Sequence, residues 1–279
     1  MSKIAVIGMV GNSAFMPVAH FPANGETVAA RNVHFEPGGK GFNQAVAAAR
    51  CGAEVSFLGA VGEEGFESIR DFAAGENMDA VLVRKPGQTA FATIITDAAG
   101  DNCVTVYQGP SLTPKDVEAF AETIRQADVL LLNNEVPESV NIRAAALAKE
   151  SGTQVILNPA PARPISPELL ENVDLLTPNE HEAAGLEHLD NLLVTLGDKG
   201  CWLKASGQTL PAVSFGNVVD TTGAGDTFNG ALAVKLAQGA DLQTAARFAA
   251  VAAGISVTRP YAATSIPTWV EMKEDVQDL

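Results

Sequence analysis

Short runs of β-branched and leucine residues alternate along the chain with longer alanine-rich segments. The short runs are continuously apolar, which is typical of strands in a parallel sheet that is covered on both faces. These runs predict central strands at 4–10, 54–60, 127–133, 154–158, 173–177 and 192–196. The alanine-rich segments predict covering helices at 43–50, 65–74, 114–126, 138–150, 224–238 and 242–257. The pattern therefore predicts an α/β fold with three layers, α/β/α, around a mostly parallel central sheet.

Two stretches, 15–36 and 81–107, do not follow this rhythm and predict antiparallel strands in a separate small sheet. In the second stretch a hairpin turn is indicated by the residues between two alternating runs: Ala98, Gly100, Asp101 and Asn102. We expect a small antiparallel β lid, within a single domain spanning 1–279, that covers a ligand, forms a dimer surface, or does both. A simple edge extension of the main sheet is the alternative.

The charge balance disfavours several classes of partner. The chain has 18 Lys and Arg against 33 Asp and Glu, a formal net charge of -15, and no run of basic residues. Nucleic acid and anionic membrane surfaces are therefore not expected as partners. The hydrophobic share of 47% is that of an ordinary globular chain and excludes disordered and fibrous classes. The chain has no uncharged apolar run of about 18 residues, so no transmembrane helix is predicted.

Three cysteines, Cys51, Cys103 and Cys201, are widely separated and match no zinc-binding spacing. Their odd number predicts reduced thiols and a cytoplasmic protein. Near the start of the chain, Gly8 and Gly11 interrupt the first apolar run early. This interruption favours a strand followed by a loop over a signal peptide.

The segment DTTGAGDTFNG, residues 220–230, follows a run at 213–219 that predicts a strand, and it precedes an alanine-rich helix. Gly223 and Gly225 leave room for a ligand beside the backbone, where N–H groups and the helix dipole favour a phosphate. Asp226 follows in the first turn, where it can accept a proton from a hydroxyl that attacks phosphorus. The residues alone leave a second interpretation open, in which Asp226 caps the helix and the glycines form a tight turn.

Two other phosphate-binding loops are excluded by spacing. No segment matches the GxxxxGK[ST] pattern of a P-loop, and Phe228 stands where the dinucleotide pattern GxGxxG needs its third glycine. The sequence therefore argues against a P-loop NTPase and a Rossmann dehydrogenase.

The segment PGGKGFN, residues 37–43, also leads into a predicted helix. Its glycines, Lys40 and Asn43 combine backbone donors, a cation and an amide at one helix start, which suits a polyhydroxylated ligand. A loop with a solvated lysine explains this motif equally well when it is taken alone.

Together the two glycine motifs, with NPAPA (158–162) and TPNEHE (177–182) between them, resemble the ribokinase-like (PfkB) sugar kinase family. The resemblance covers residues 4 to about 267, and the motifs occur in the family's order. The segments FPANGETV, GGKGFNQAVAAAR and NPAPARPIS are most similar to the ribokinase subgroup of that family.

The resemblance implies ATP-dependent phosphorylation of a primary hydroxyl of a ribose-like sugar, with Asp226 as the catalytic base. It implies that the backbone of Gly223, Ala224 and Gly225 forms an anion hole for the phosphate. It also implies that Asn179 and Glu182 help to hold Mg²⁺ near the phosphates. Nucleotide-binding positions are implied at the same end of the sheet: Asn179, Thr195, Gly197, Gly200 and Gly225.

For the sugar, the resemblance implies hydrogen bonds from Gly39, Lys40 and Asn43, with the Glu135 carboxylate beside the substrate. It further implies a K⁺ site next to the anion hole and a homodimer formed through the lid. The implied cation ligands act largely through backbone oxygens: Asp220, Thr222, Ser256, Arg259, Tyr261 and Ser265.

The chain departs from the family pattern in two places. Ser13 stands where the family has a sugar-binding Asp, and Gly11 where an Asn is usual. A hydrogen bond to a charged group contributes roughly 1.5–3 kcal/mol against about 1 kcal/mol for a neutral one, so Ser13 is expected to bind ribose more weakly or to favour another acceptor. The connection between Glu182 and Leu192 is also shorter by about one helix than a crossover normally requires.

These departures leave alternatives open. A nucleoside or a differently substituted sugar is an alternative acceptor, and a non-catalytic sugar- or nucleotide-binding protein of the same fold is the alternative from another class. The presence of Asp226 favours an enzyme.

Overall fold

The computed structural model describes residues 1–98 and 101–277 and contains three sheets within them. In chain order the strands are β1 (Lys3–Ile7), β2 (Gly11–Pro17), β3 (His34–Gly38), β4 (Glu54–Val61), β5 (Asp79–Arg84), β6 (Ala90–Thr96), β7 (Asn102–Tyr107), β8 (Val129–Asn133), β9 (Gln154–Asn158), β10 (Leu175–Leu176), β11 (Leu193–Thr195), β12 (Cys201–Leu203) and β13 (Gln208–Leu210). The central sheet is parallel and has the order β10-β9-β8-β1-β4-β5.

The helices follow the predicted alanine-rich segments closely, except for two four-residue helices, at 167–170 and 269–272, that were not predicted. They are α1 (Lys40–Arg50), α2 (Phe66–Gly75), α3 (Pro114–Ala119), α4 (Ala121–Gln126), α5 (Glu138–Ser151), α6 (Pro167–Leu170), α7 (Ala224–Ala237), α8 (Leu242–Ser256) and α9 (Trp269–Met272). The predicted helix at 114–126 is divided into two at Phe120, which ends α3 and begins α4 with φ −104°.

Helices cover both faces of the central sheet, which explains why its strands are continuously apolar. On β1, Ile4 and Val6 point into a core shared with α1, α7 and α8, while Ala5 and Ile7 point into a second core with α3, α4 and α5. The predicted three-layer α/β/α fold is therefore confirmed.

A small four-stranded sheet with the order β3-β2-β6-β7, which we call the lid, lies outside the central sheet. β2 pairs antiparallel with β3, β6 pairs antiparallel with β7, and β2 pairs parallel with β6. The residues at 79–84, partly counted in the predicted lid, instead form β5, which pairs parallel with β4 at the edge of the central sheet. Because α2 connects β4 to β5 and the two strands pair in parallel, these three elements form a βαβ unit.

The predicted hairpin turn between β6 and β7 lies partly outside the described residues, because Gly100 is not among them. On its described flanks, the N–H of Asp97 donates to the main-chain oxygen of Asp101 at 3.0 Å, which brings the two strands together. Residues 18–33 of the first predicted lid stretch contain no regular strand or helix.

The prediction that residues 192–196 belong to the central sheet is wrong in its pairing. β11 forms a separate antiparallel sheet with β12 and β13 and reaches β10 only through isolated bridges, Leu176 to Leu192 and Asn179 to Thr195. The short connection before it contains turns but no helix, as its length indicates. The predicted strand at 213–219 is also irregular.

In the described part of the chain, no helix has both the length and the apolar character needed to cross a membrane.

Candidate active site

The N-terminus of α7 opens into a cavity of about 620 Å³. Gly223 caps this helix with φ 77°, a left-handed conformation that a side chain would strain. The N–H of Ala224 donates to the main-chain oxygen of Thr221 at 3.2 Å, whereas those of Gly223 and Gly225 have no protein acceptor among the described residues. A Cβ at Gly225 would meet no atom within 4 Å. Two of the three predicted anion-hole donors are therefore available to a phosphate.

Asp226 follows in the first turn of α7 and is only 7% exposed. The side-chain amide of Asn43 donates to its Oδ2, and that of Gln44 donates to its Oδ1, each at 3.2 Å. Gln44 also donates to Asn158 Oδ1 at 3.2 Å, which links the carboxylate to the end of β9. The carboxylate is thus fixed in orientation by α1.

Close approach of α1 and α7 makes this arrangement possible. A Cβ at Gly230 would collide with the main-chain oxygen of Gln44 and would lie 2.5 Å from the side chain of Ala47. A larger residue would therefore separate the helices and move Asn43 and Gln44 away from Asp226.

Opposite charges meet around Asp226. Burial raises the pKa of Asp226, and the nearby Lys40 charge and the Asn43 and Gln44 amides partly lower it. The Asp226 carboxylate raises the pKa of Lys40, although burial opposes this. Burial, and then Asp226, raise the pKa of Glu135 to about 7. The site therefore contains one firmly protonated lysine and two carboxyl groups that bind protons more tightly than in water.

The predicted sugar residues lie together at the start of α1. Gly39 has φ 116°, and a Cβ there would collide with the main-chain oxygen of Met9. The N–H of Lys40 donates to Glu135 Oε2 at 2.7 Å, and the N–H of Glu135 donates to Asn133 Oδ1 at 3.0 Å. These bonds fix the Glu135 carboxylate beside the helix N-terminus.

The two lid positions that differ from the family pattern, Ser13 and Gly11, are tightly packed in the structure. Ser13 is 7% exposed and lies over Gly38, where an added Cβ would be 2.5 Å from the Ser13 hydroxyl. Gly11 lies against the backbone of Ala90, with which any side chain at position 11 would collide. The amide expected at this position in the family therefore has no room in this backbone.

Many of the predicted residues line the cavity. These are Lys40, Asn179, Glu182, Thr195, Gly197, Gly200, Gly223, Ala224, Gly225 and Asp226. Apolar side chains form another wall of the cavity, among them Val213, Phe215, Val218, Phe228 and Val257. Val213, Phe215 and Val218 thus contribute to an apolar wall, and the segment 213–219 does not form the predicted strand. A mostly apolar pocket with a few convergent polar groups is typical of a ligand site.

The predicted nucleotide-binding residues lie at the ends of strands from two sheets: Asn179 follows β10, and Thr195 ends β11. Asn179 and Thr195 form a parallel bridge, and Thr195 is followed by a turn at Gly197 and Gly200. Gly200 has φ 96°, and a Cβ there would collide with the main-chain oxygen of Leu210. A glycine is therefore required at this position.

Asn179 and Glu182 form a compact turn. Asn179 Oδ1 accepts from the N–H groups of His181 and Glu182, and Glu182 Oε2 accepts from the N–H of Asn179, all at 2.9 Å. One oxygen of Glu182 is therefore committed to the backbone. Among the described residues, no group of three or more His, Cys, Asp or Glu side chains forms a metal cluster.

The predicted cation residues come from two loops that Asp220 joins. Its Oδ1 accepts from the N–H and hydroxyl of Thr222 at 2.9 and 2.7 Å, and its Oδ2 accepts from the N–H of Tyr261 at 3.0 Å. Ser256 and Ser265 are buried, and each hydroxyl donates to a main-chain oxygen three residues earlier. The Arg259 guanidinium instead points to Glu271, at 2.7 Å.

Sequence reasoning missed two further polar residues, Gln44 and Glu36. Gln44 is fully buried and stands next to the predicted Asn43 in α1. A polar residue in this buried, alanine-rich segment was a signal that could have indicated a functional role. Glu36 is 4% exposed, and its partners at Ala262, Ala263 and Thr264 lie more than 220 positions away in sequence. No local pattern indicates such a contact.

We predict that Glu135→Gln makes the stability of the substrate-free protein less dependent on pH. Because folding raises this pKa from 4.5 to about 7, its contribution to stability is complete below about pH 4.5 and is lost as the pH rises through about 7. The difference in unfolding free energy, variant minus parent, should therefore be about 1–3 kcal/mol more positive at about pH 8 than at about pH 5. Urea unfolding at both pH values measures this difference.

The exposed Glu54, changed to Gln, is the control for removing a carboxylate. Equal pH profiles for Glu135→Gln and the parent protein would contradict the assigned pKa.

Comparison with known proteins shows the family of the chain. The model of the pfkB family of carbohydrate kinases matches residues 1–269. A ribokinase of Lactococcus lactis is 37% identical over 301 aligned residues, covering 100% of this chain and 98% of that protein. A ribokinase of Bacillus subtilis is 38% identical, covering 98% of this chain and 99% of that protein.

Among solved structures, Arabidopsis thaliana ribokinase complexed with ribose and ATP superposes with a TM-score of 0.85 at 29% identity. Each chain is covered over its full length, 100% in both cases. The family match covers nearly the whole sequence. The chain therefore belongs to the pfkB family of carbohydrate kinases and is a sugar kinase.

Proposed function

We propose that the protein transfers the γ-phosphoryl group of ATP to a primary hydroxyl of a ribose-like sugar. The observation that carries this proposal is the buried Asp226 carboxylate, oriented by Asn43 and Gln44, next to unpaired N–H groups at the start of α7. A base and an anion-binding backbone at one point are what in-line phosphoryl transfer requires. The ribokinase similarity supports ribose as the acceptor.

In this mechanism Asp226 accepts the proton of the sugar hydroxyl as the hydroxyl oxygen attacks phosphorus. The N–H groups of Gly223 and Gly225 donate to phosphate oxygens as negative charge develops in the transition state. The Lys40 ammonium contributes positive charge to the same cavity. Asn43, in the first turn of α1, and Glu135, which follows β8, hold the acceptor hydroxyls. Asn179, Thr195, Gly197 and Gly200 hold the nucleotide.

Two cations complete the proposal. Mg²⁺ would be held near the phosphates by Glu182 and Asn179 through water, which fits a carboxylate whose other oxygen is already committed. Bound there, it neutralises phosphate charge. K⁺ would be held by the loops that Asp220 joins. In the described part of the chain, the main-chain oxygens of Thr222 and Tyr261 accept no hydrogen bond, which fits a site for a hard cation.

The lid leaves the acceptor open to a second candidate. Ser13 supplies a hydroxyl, and Gly11 supplies no side chain, on the face of the lid that carries Glu36. This favours an acceptor that needs fewer hydrogen bonds from the lid than ribose does, such as a differently substituted sugar or a nucleoside. A non-catalytic binding protein is the third alternative, and the oriented Asp226 disfavours it.

We predict that ATP consumption depends on a pentose acceptor and on Asp226. Pentoses, hexoses and nucleosides are screened, and Asp226→Asn should lower kcat by about 10²- to 10⁴-fold, the usual contribution of a general base. Asp71→Asn, an exposed substitution on α2, is the control. Ser13→Asp should lower the KM for ribose if ribose is the acceptor.

Absence of turnover with every acceptor would contradict the kinase mechanism. Turnover with nucleosides alone would contradict the proposed acceptor, and unchanged turnover in Asp226→Asn would contradict the assigned base.

We predict that Gln44→Leu moves the acidic limb of the pH profile to higher pH. Gln44 donates to Asp226 and offsets part of the rise that burial causes in the pKa of Asp226, so removing the donor raises that pKa further. Because the base must be ionised, activity is then lost at a higher pH as the pH falls. The measurement is kcat/KM against pH for the parent and the variant.

The control is Gln126→Leu, at an exposed glutamine of α4 that bonds only to Glu122 in the same helix turn. A lower kcat/KM with an unshifted limb would show that Gln44 acts on packing alone.

We propose that the protein is a homodimer formed through the lid. β7 is exposed along its whole length and is an edge strand of the lid. Val104 and Val106, 49% and 47% exposed, lie opposite Ile94 and Ala92 and so extend an apolar surface that is buried elsewhere. A second copy of the same surface would cover these valines and both sugar sites, as a two-fold interface permits.

We predict that the parent protein sediments at twice the 29.0 kDa chain mass and that Val106→Glu sediments as a monomer. A buried charge without a partner opposes association. Val270→Glu, at a valine that is 67% exposed on α9, is the control. A parent protein that stays monomeric at all concentrations would exclude the lid dimer.

A reducing, cytoplasmic location is the remaining proposal. It is supported by three free cysteines, of which burial raises the pKa of Cys51 to about 12 and that of Cys201 to about 11.

A further inference from the structure

A buried carboxylate of the lid binds a row of backbone N–H groups from the other end of the chain. Glu36, on β3, accepts from the N–H groups of Ala262 and Ala263 at 2.9 Å through Oε1. Its Oε2 accepts from the N–H of Thr264 at 3.0 Å and from its hydroxyl at 2.7 Å, and His34 Nε2 lies 3.3 Å away. Three successive N–H groups form an anion-binding nest, and the lid fills it.

The loop that forms this nest is strained at its first residue. Tyr261 has φ 76°, a conformation that residues other than glycine avoid. Its ring stacks on His34 of β3 with centroids 3.9 Å apart and meets Phe15 of β2 edge-on at 5.3 Å. Such a conformation persists only where surrounding contacts impose it. The contacts that impose it here come from the lid.

The same loop touches the anion hole. The N–H of Tyr261 donates to Asp220, whose other oxygen binds Thr222, immediately before Gly223. A Cβ at Gly223 would lie 3.2 Å from the side chain of Ala262, whose N–H Glu36 binds. The conformation of Gly223 therefore depends on the position of a loop that the lid holds.

On the other side, Glu36 is close to the candidate sugar residues. In the pairing of β2 with β3 it stands directly opposite Ser13, and Gly38 follows two positions later at the end of β3. Lys40 then begins α1. One side chain thus links the part of the lid over the sugar site to the loop beside the phosphate site.

We propose that Glu36 is a positioning residue that fixes the loop of residues 261–265, and through it Gly223 of the anion hole, relative to the lid. This inference deepens the proposed function and rests on it. The carboxylate acts through the loop rather than on the sugar, because each of its oxygens already accepts two hydrogen bonds. The part of the lid that covers the acceptor and the backbone that binds the transferred phosphate are thereby kept in one arrangement.

Glu36→Gln tests this role without changing the size of the side chain. An amide has one acceptor oxygen, and its NH₂ group would face donors of Thr264, so the nest loses part of its partner. We expect kcat to fall about 10- to 100-fold, as misplacement of a reacting group does, while the KM for ATP changes by less than about twofold. The proposed nucleotide-binding positions Thr195, Gly197 and Gly200 line the cavity far from this loop in sequence, and none of residues 261–265 is among the residues that line it.

Hydrogen exchange of the substrate-free protein supplies a second measurement that needs no acceptor. In Glu36→Gln the amides of 262–264 should exchange at least about tenfold faster, since bonds to a charged acceptor are lost. Exchange should also increase in the segment around Gly223, which Ala262 contacts. This second increase is specific to the proposed connection.

Two further variants complete the series. Thr264→Val removes only the hydroxyl bond to Glu36 and should give smaller effects in the same direction. Glu26→Gln is the control, because Glu26 is a carboxylate of the segment between β2 and β3 whose bonds go to His20 and Ala23 nearby. It should leave kcat and exchange at 222–226 unchanged.

The proposal is overturned by an unchanged kcat, by a loss confined to the sugar KM, which would make Glu36 a sugar ligand, or by a fall in kcat that equals the fall in folded protein. Faster exchange at 262–264 with none around Gly223 would also overturn it. If the parent protein phosphorylates no acceptor, the proposed function fails, and the exchange measurements alone still decide whether Glu36 holds the loop and Gly223.

Discussion

The structure of the site depends on burying one carboxylate where two helices touch. Asp226 lies in the first turn of α7. In place of water, its carboxylate interacts with the side-chain amides of Asn43 and Gln44 and with the charge of Lys40, all from α1. This replacement requires the helices to approach so closely that Gly230 has no side chain. The core packing of the α7 face and the orientation of the base are therefore a single constraint. Without these partners burial alone would raise the pKa of Asp226 further and favour its neutral form, which cannot accept a proton.

Electrostatics then explain why the phosphate site is built from backbone. The chain has a net charge of -15, and Glu135, Glu182 and Asp226 all act on the charge of Lys40 in the cavity. With so many carboxylates near, one lysine cannot neutralise a nucleotide triphosphate. At the start of α7, the N–H groups of Gly223 and Gly225, which have no acceptor in the described part of the chain, attract anions without adding ionisable groups.

The elements that were predicted from the sequence are those whose signal is local. The run Gln154–Asn158 became β9 without change, and the glycines before α7 indicated the start of that helix. The strand at 192–196 was assigned to the wrong sheet, because a sequence run does not specify its neighbour. Gln44 and Glu36 were missed for the same reason, since their partners are brought to them only by the packing of distant segments.

The same distinction separates catalysis from acceptor choice. The lid face over the site consists of small residues, Gly11, Ser13, Gly38 and Ala90, that approach one another through main-chain atoms. Glu36, the carboxylate on that face, has both oxygens occupied by the loop of residues 261–265. Polar groups that can bind sugar hydroxyls therefore come mainly from the α1 and β8 side, which also orients the base. The groups proposed for phosphoryl transfer thus lie on helices of the three-layer core, whereas the proposed choice of acceptor depends on the lid.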